Sequence, residues 1–131
     1  MGLRIKKTLT ANDTGENGSH QAGLLVPKNQ DFLNFFPELN SNKLNPFVWV
    51  SMFDEFDKEW KFKFIHYNNK LVSEGTRNEY RLTCMTQFFR EHKINVGSIL
   101  IFEKISKKYL VRVEISSLKI ENSKIWEVEF L

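Results

Sequence analysis

Apolar and polar residues alternate along several short stretches of the chain, a pattern typical of half-buried β-strands. The clearest stretch is 60–64, where Trp and Phe alternate with Lys. An acidic turn at 54–57 separates it from the apolar stretch 47–53, so the two are predicted to form a β-hairpin. Further strands are predicted at 3–7, 23–27, 98–102, 109–115 and 125–130, and an extended charged segment at 76–83.

Helical spacing occurs in two places only. Asn29 is predicted to cap the first helix, which Pro37 terminates. The second begins at Thr83 or Thr86 and stops before Gly97, a residue suited to a left-handed turn. Their apolar positions are Phe32, Phe35, Phe36 and Leu39 in the first and Phe88, Phe89 and Ile94 in the second. Seven or eight short strands without a βαβ rhythm favour one mainly β, mostly antiparallel barrel domain over residues 1–131 with two short helices.

Composition narrows the class of protein without identifying it. The chain has 131 residues, 41% of them hydrophobic, and a formal net charge of +3. This mildly basic balance permits nucleic-acid binding but does not by itself argue for it. Cys84 is the only cysteine, so no internal disulfide forms, as expected of a reducing compartment. No apolar run approaches the roughly 20 residues that span a bilayer, and we expect a cytoplasmic protein without a membrane contact.

Two polar segments depart from the core-building pattern, Asn12–Gln21 and Gly75–Arg81. They carry the groups that read base edges, since Arg pairs with guanine, Asn or Gln with adenine, and Glu accepts from cytosine. If the second segment is extended, Arg77, Glu79 and Arg81 share one face, and Asn78 and Tyr80 share the other. Glu79 would then orient both guanidinium groups. The alternative is a solvated edge strand with a surface ion pair.

The chain shows no motif for a metal or another cofactor. His20, His66, His92 and Cys84 lack metal-ligand spacing to one another. The lysines at 61, 63, 104, 107 and 108 could contact phosphates, although such charges are usually only solvated.

The two polar segments also carry a family resemblance. Residues 11–15, with Gly18, 20–21, 23–24 and Pro27, resemble the start of the N-terminal domain of EcoRII-type restriction endonucleases. Residues 76–79, with Arg81 and Thr83, resemble a second block of the same domain. Residues 86–102 also resemble the helix-Gly-strand passage of plant B-three transcription-factor domains.

This resemblance implies a seven-stranded open pseudobarrel that reads double-stranded DNA in the major groove with two arms, about 10–21 and 75–83. It implies an effector-site recognition domain without a catalytic centre, N-terminal to a nuclease domain in a bacterial cytoplasmic enzyme, with CC(A/T)GG or a related sequence as target. Three positions depart from the family pattern: Leu25 replaces an aromatic residue, and Gly75 and Tyr80 replace basic ones. The DNA-contacting positions carried over are Asn12, Asp13, Thr14, His20, Gln21, Arg77, Asn78, Glu79, Tyr80 and Arg81.

Three other functions remain open. Pro37-Glu38 with Glu59-Trp60-Lys61 superficially resembles the acidic and lysine pattern of Mg²⁺-dependent nucleases. A barrel that binds a protein or a small ligand would use the polar loops as a rim. An RNA-binding module would expose aromatic residues on a sheet, whereas the Phe residues here are predicted to follow core periodicity.

Overall fold

The computed structural model describes residues 2–14, 23–114 and 126–131, and these residues form eight strands and four short helices. The mainly β prediction is confirmed, with eight strands, which is within the seven or eight that the pattern predicted and one more than the resemblance implied. Two of the four helices, at 11–14 and 69–72, are additional to the two that the sequence predicted. The elements are β1 (Gly2–Thr8), α1 (Ala11–Thr14), β2 (Leu24–Val26), α2 (Gln30–Leu33), β3 (Phe47–Phe53), β4 (Glu59–Tyr67), α3 (Asn69–Val72), β5 (Glu79–Thr83), α4 (Thr86–Glu91), β6 (Ile99–Ile105), β7 (Lys108–Glu114) and β8 (Trp126–Phe130).

The strands form one sheet in the order β2-β5-β4-β3-β7-β6-β1-β8. The sheet has two antiparallel halves, β2-β5-β4-β3 and β7-β6-β1-β8. A short parallel pairing of β3 with β7 joins them, in which Met52 lies opposite Tyr109 and Phe53 opposite Leu110. The predicted hairpin of β3 and β4 is therefore present, and the sheet curls into an open barrel around one core.

The segment that follows α2 fills the inside of the curled sheet. Phe35 packs edge-on against Phe102 of β6 and Tyr109 of β7, with ring centroids 6.4 and 5.4 Å apart. Phe36 stacks on Phe64 of β4 at 4.3 Å. Consecutive residues thus contact both halves of the sheet, which holds the halves together. Tyr109 donates its hydroxyl to the Phe35 carbonyl oxygen at 2.9 Å, and burial raises the pKa of Tyr109 to about 12.

This packing explains why α2 is shorter than predicted. Asn29 caps it as expected, since its side chain accepts from the backbone N–H of Asp31 at 2.8 Å. The helix nevertheless ends at Leu33, well before Pro37. Phe35 and Phe36 then donate to carbonyl oxygens three residues back, at 3.2 Å each, in tighter turns. Those turns direct the two rings to different halves of the sheet.

The predictions for the second helix are met at its start but not at its end, because α4 stops at Glu91, before Ile94, and Lys93 has a left-handed φ of 51°. The second helix begins at Thr86, one of the two expected positions, and buries Phe88 and Phe89. Gly97 has a φ of 92°, the left-handed geometry expected of it. No helix among the described residues is long and apolar enough to cross a membrane.

Candidate nucleic-acid interface

Residues 68–78 connect β4 to β5, and we call them the β4–β5 arm. Asn69 organises this arm, because its side-chain oxygen accepts from the backbone N–H of Arg77 at 2.7 Å. The Asn69 carbonyl oxygen accepts from the N–H of Gly75 at 3.1 Å. A Cβ at Gly75 would lie 2.1 Å from the Asn69 carboxamide carbon. The glycine that departs from the family pattern is therefore required by the local geometry of this arm.

Arg77, Glu79 and Arg81 lie together on the outer face of the sheet, as alternation predicted, and we call them the charge triad. Arg77 binds the Glu79 carboxylate through Nε at 3.0 Å and also through a terminal nitrogen. Arg81 Nε lies 3.4 Å from the same Glu79 oxygen. The Arg77 guanidinium is 3.7 Å from the ring centroid of Tyr67. The triad is partly exposed and already ordered.

The charges of the triad set the protonation of its acid. Burial by itself would raise the pKa of Glu79, but hydrogen bonds and charge interactions with Arg77 and Arg81 outweigh it and lower that pKa below its usual value. Glu79 is consequently an acceptor at neutral pH, and each arginine keeps donors that the triad does not use.

Asn78 and Tyr80 face the inside, as predicted for alternate positions. Tyr80 stacks on His66 with ring centroids 3.9 Å apart, and burial raises the Tyr80 pKa. The Asn78 side-chain oxygen lies 2.8 Å from His66 Nε2, within reach of an Nε2–H donor. Lys28 donates to the Asn78 carbonyl oxygen at 3.2 Å. These contacts hold the strand that displays the charge triad.

Residues 9–23 connect β1 to β2, and we call them the β1–β2 arm. Within its described part, Asp13 is buried, and Lys7 Nζ lies 3.2 Å from its carboxylate. The same oxygen accepts from the backbone N–H of Thr10 at 2.9 Å, and the Thr10 hydroxyl accepts from the Asp13 N–H at 3.4 Å. This reciprocal pairing is a capping box that starts α1. The Thr-x-x-Asp spacing at 10–13 is the sequence signal that would have predicted this helix.

The other predicted residues of the β1–β2 arm differ in placement. Asn12 is exposed, and Thr14 is half-buried with its hydroxyl donating to the Ala11 carbonyl oxygen at 3.3 Å. His20 and Gln21 lie outside the described residues. The structure therefore brings Arg77, Glu79 and Arg81 together, and places Asp13, Asn78 and Tyr80 in supporting contacts.

A second polar cluster lies at the β3–β4 turn, where the sequence indicated no site. Ligand atoms of Asp54, Glu91 and His92 lie within 4.8 Å of one another. Asp54 Oδ2 is near Trp60 Nε1 and His92 Nε2, at 2.9 and 3.2 Å. Burial alone would raise the Asp54 pKa, but these bonds and two from backbone N–H groups lower it. Since the Asp54 carboxylate oxygens already accept hydrogen bonds within the protein, we interpret the cluster as stabilising the β3–β4 turn.

The candidate nuclease residues are not assembled. Glu38 lines an inner cleft of about 550 Å³ with His66 and Tyr80, near the end of β4. Glu59 begins β4, seven residues before His66 and therefore about 20 Å from it along the strand. Lys61 is exposed on the same strand as Glu59. The two acids of this pattern cannot hold one metal ion in this arrangement.

Comparison with known proteins assigns this chain to a family. A model of the family described as "Restriction endonuclease EcoRII, N-terminal" matches residues 3–126. The chain belongs to this family. It is also 37% identical over 109 residues to the type II restriction enzyme EcoRII of Escherichia coli, an alignment that covers 78% of the chain and 26% of that enzyme. The chain thus corresponds to about a quarter of the length of its relative.

Solved structures confirm the fold. The Arabidopsis FUS3–DNA complex matches with a TM-score of 0.65 and 19% identity, over 86% of this chain and 96% of that one. The transcription factor LEC2 of Arabidopsis thaliana, also solved with DNA, matches with a TM-score of 0.59 and 23% identity, over 86% and 92%. The EcoRII N-terminal family member described here is therefore a B-three-like pseudobarrel, as the resemblance implied.

Proposed function

We propose that this EcoRII N-terminal family domain is a sequence-specific double-stranded DNA-binding module that recognises a target or effector site for a restriction endonuclease. The observation that carries the proposal is the charge triad, because it presents two arginines and a carboxylate, preordered and partly exposed, at the end of the β4–β5 arm and on β5. Family membership and the likeness to two structures solved with DNA support it.

The triad has the chemistry to read the major groove. Arg77 and Arg81 would each donate to the O6 and N7 acceptors of a guanine, and Glu79 would accept from a cytosine amino group. His20 and Asn12 would contact the same site from the β1–β2 arm, with Thr14 and Gln21 beside them. A site of the form CC(A/T)GG, or a relative with altered outer bases, offers the guanines and cytosines that this set requires.

Three of the residues assigned to DNA contact would act indirectly. Asp13 is buried against Lys7, so its role would be to hold the β1–β2 arm on the barrel. Asn78 and Tyr80 are bound to His66, and they would position β5. DNA cleavage would belong to a catalytic domain elsewhere in a longer parent chain.

A competition gel shift at fixed salt tests the proposal, comparing a CC(A/T)GG duplex with its single-base variants. Arg81→Ala should weaken specific binding by about 1–3 kcal/mol and relax preference at one base pair. Arg112→Ala is the matched control, since Arg112 also pairs with a glutamate, Glu103, but in the other half of the sheet. Arg112→Ala should change DNA affinity and base preference little.

Two outcomes would contradict the proposal. If Arg81→Ala keeps both the affinity and the base preference of the wild type, the triad does not read bases, and absence of any salt-dependent DNA affinity would favour a protein- or ligand-binding barrel. Mg²⁺-dependent plasmid cleavage by this chain alone, abolished by Glu59→Ala, would instead favour a nuclease.

A further inference from the structure

The sheet face that carries the charge triad continues into an exposed aromatic patch. Phe47 and Trp49 of β3 are 51% and 52% exposed, and their side chains alternate with the buried Val50 and Met52. The expectation that the Phe residues follow core periodicity is therefore wrong at Phe47, as it is at Phe56 and Phe130. We call Phe47, Trp49 and the neighbouring Lys63 of β4 the aromatic patch.

Strand register places this patch beside the triad. Leu25 pairs with Arg81, Arg81 with Ile65, and Ile65 with Phe47, so that the four form one row across the outer face. Phe47 is two strands from Arg81, a separation of about 10 Å at the usual strand spacing. Ile65 lies between them and is buried. Trp49 belongs to the next row, opposite Lys63.

The charge of this face indicates a polyanionic occupant. Lys63 Nζ lies 4.1 Å from the ring centroid of Phe47 and 5.9 Å from that of Trp49, which places a cation above both rings. Basic side chains outnumber acidic ones on the outer positions of β4, β5 and the end of the adjoining arm. The basic residues are Lys61, Lys63, Arg77 and Arg81, and the acidic ones are Glu59 and Glu79.

We propose that the aromatic patch is a second contact with the same DNA duplex, in which Phe47 and Trp49 pack on the sugars of the flanking backbone and Lys63 pairs with a phosphate. This inference rests on the proposed function. In this proposal the row from Arg81 to Phe47 runs along the duplex, which rises about 3.4 Å per base pair, so a contact about 10 Å from Arg81 would fall about three base pairs away. The patch would therefore strengthen binding without adding base preference.

Duplex length gives the decisive test. The variant Phe47→Ala/Trp49→Ala is titrated against a CC(A/T)GG duplex with about ten flanking base pairs on each side, and against duplexes trimmed to about one on either side. The variant should bind the long duplex about five- to tenfold more weakly than the wild type. The loss should disappear when the contacted flank is removed, and the order of preference among single-base variants should not change.

Control variants separate a DNA contact from a change in the barrel. Phe130→Ala removes an aromatic ring that is 72% exposed on β8, at the far edge of the sheet, and should leave affinity unchanged. Lys63→Gln should make the slope of log affinity against log salt concentration shallower by the contribution of about one phosphate contact. Lys104→Gln, which removes a lysine 5.6 Å from the Tyr109 ring, should not. Bound DNA should also change the tryptophan fluorescence of the wild type more than that of the variant Trp49→Phe.

The outcomes distinguish the two proposals. If the wild type binds the site and the double variant binds the long duplex equally well, the aromatic patch is not a DNA contact. An equal loss on long and trimmed duplexes would also overturn the inference, because the substitutions would then act through the fold. A wild type that binds no duplex would overturn the proposed function itself.

Discussion

The two arms of this domain place their charged residues in opposite ways. In the described part of the β1–β2 arm, Asp13 faces inward and pairs with buried Lys7, each side chain less than a tenth exposed. In the β4–β5 arm and the start of β5, Arg77, Glu79 and Arg81 remain partly exposed on the outer face. Ion pairs of similar length therefore have different roles. The Lys7–Asp13 pair fixes an arm to the barrel, and the charge triad presents hydrogen-bond donors.

The difference follows from desolvation. A buried ion pair that loses one partner leaves a charge without water or counter-charge, whereas an exposed charge can be solvated again. Substitutions in the first arm should consequently change stability most, and those in the second should change recognition most. This separation can be tested residue by residue.

The largest effect is expected at Asp13. Asp13→Ala leaves the Lys7 ammonium buried without its carboxylate and removes the capping box with Thr10. The free energy of unfolding, measured in urea, should fall by about 3 kcal/mol. Glu129→Ala is the matched control. Glu129 pairs at 3.3 Å with Lys6, which lies on the same strand as Lys7, but the Glu129 side chain is 44% exposed. Its loss should cost less than about 1 kcal/mol.

Replacing both members of the buried pair tests the cause. Lys7→Met with Asp13→Leu should recover most of the stability lost in Asp13→Ala, because no uncompensated charge then remains. If Asp13→Ala and Glu129→Ala destabilise the protein equally, burial is not what distinguishes the two arms.

The sequence predicted the sheet better than it predicted the arms. The alternation at residues 60–64, the acidic turn and the apolar stretch 47–53 indicated the correct hairpin, since half-buried strands repeat every two residues. The same period placed Arg77, Glu79 and Arg81 on one face. Periodicity could not show which polar side chains other protein groups bind, so it gave no sign that Asp13 pairs with Lys7 or that Asn78 lies against His66.

What sequence reasoning missed depends on contacts between distant segments. Nothing local to Asn69 shows that its side chain would bind the Arg77 N–H eight residues later. The exposure of Phe47 and Trp49 was missed for a similar reason, since whether a face is covered depends on the rest of the fold. Asp54 was treated as a turn residue, and its contact with His92 spans 38 positions.

An intermediate effect is expected at Gly75. Gly75→Ala should displace the Asn69 carboxamide, which lies 2.1 Å from the new Cβ, and so break its bond to the Arg77 N–H. We expect a loss of about 1 kcal/mol in stability, and weaker DNA binding because Arg77 is no longer held. A double-mutant cycle with Asn69→Ala tests this. If Asn69 is the cause, Gly75→Ala should cost almost nothing further in the Asn69→Ala background, whereas additive losses would contradict it.

The smallest effect is expected from the acid of the charge triad. Burial would raise the Glu79 pKa, but Arg77 and Arg81 lower it overall, so the folded chain binds a proton at Glu79 less readily than the unfolded chain does. The contribution to stability is therefore complete above about pH 4.5 and is lost as the pH falls through the lowered pKa. At neutral pH, Glu79→Gln should lower the free energy of unfolding by less than about 1 kcal/mol, because the triad is partly exposed.

Unfolding in urea between about pH 2 and 7 measures this term. The difference between wild type and Glu79→Gln should shrink as the pH falls below 4.5 and disappear below the lowered pKa, because both proteins then carry a neutral side chain at position 79. Asp54, whose pKa is also lowered, titrates in both proteins and cancels in the difference. A difference that stays constant with pH would mean that the arginines do not stabilise the Glu79 carboxylate, and that the triad is not preordered before DNA arrives.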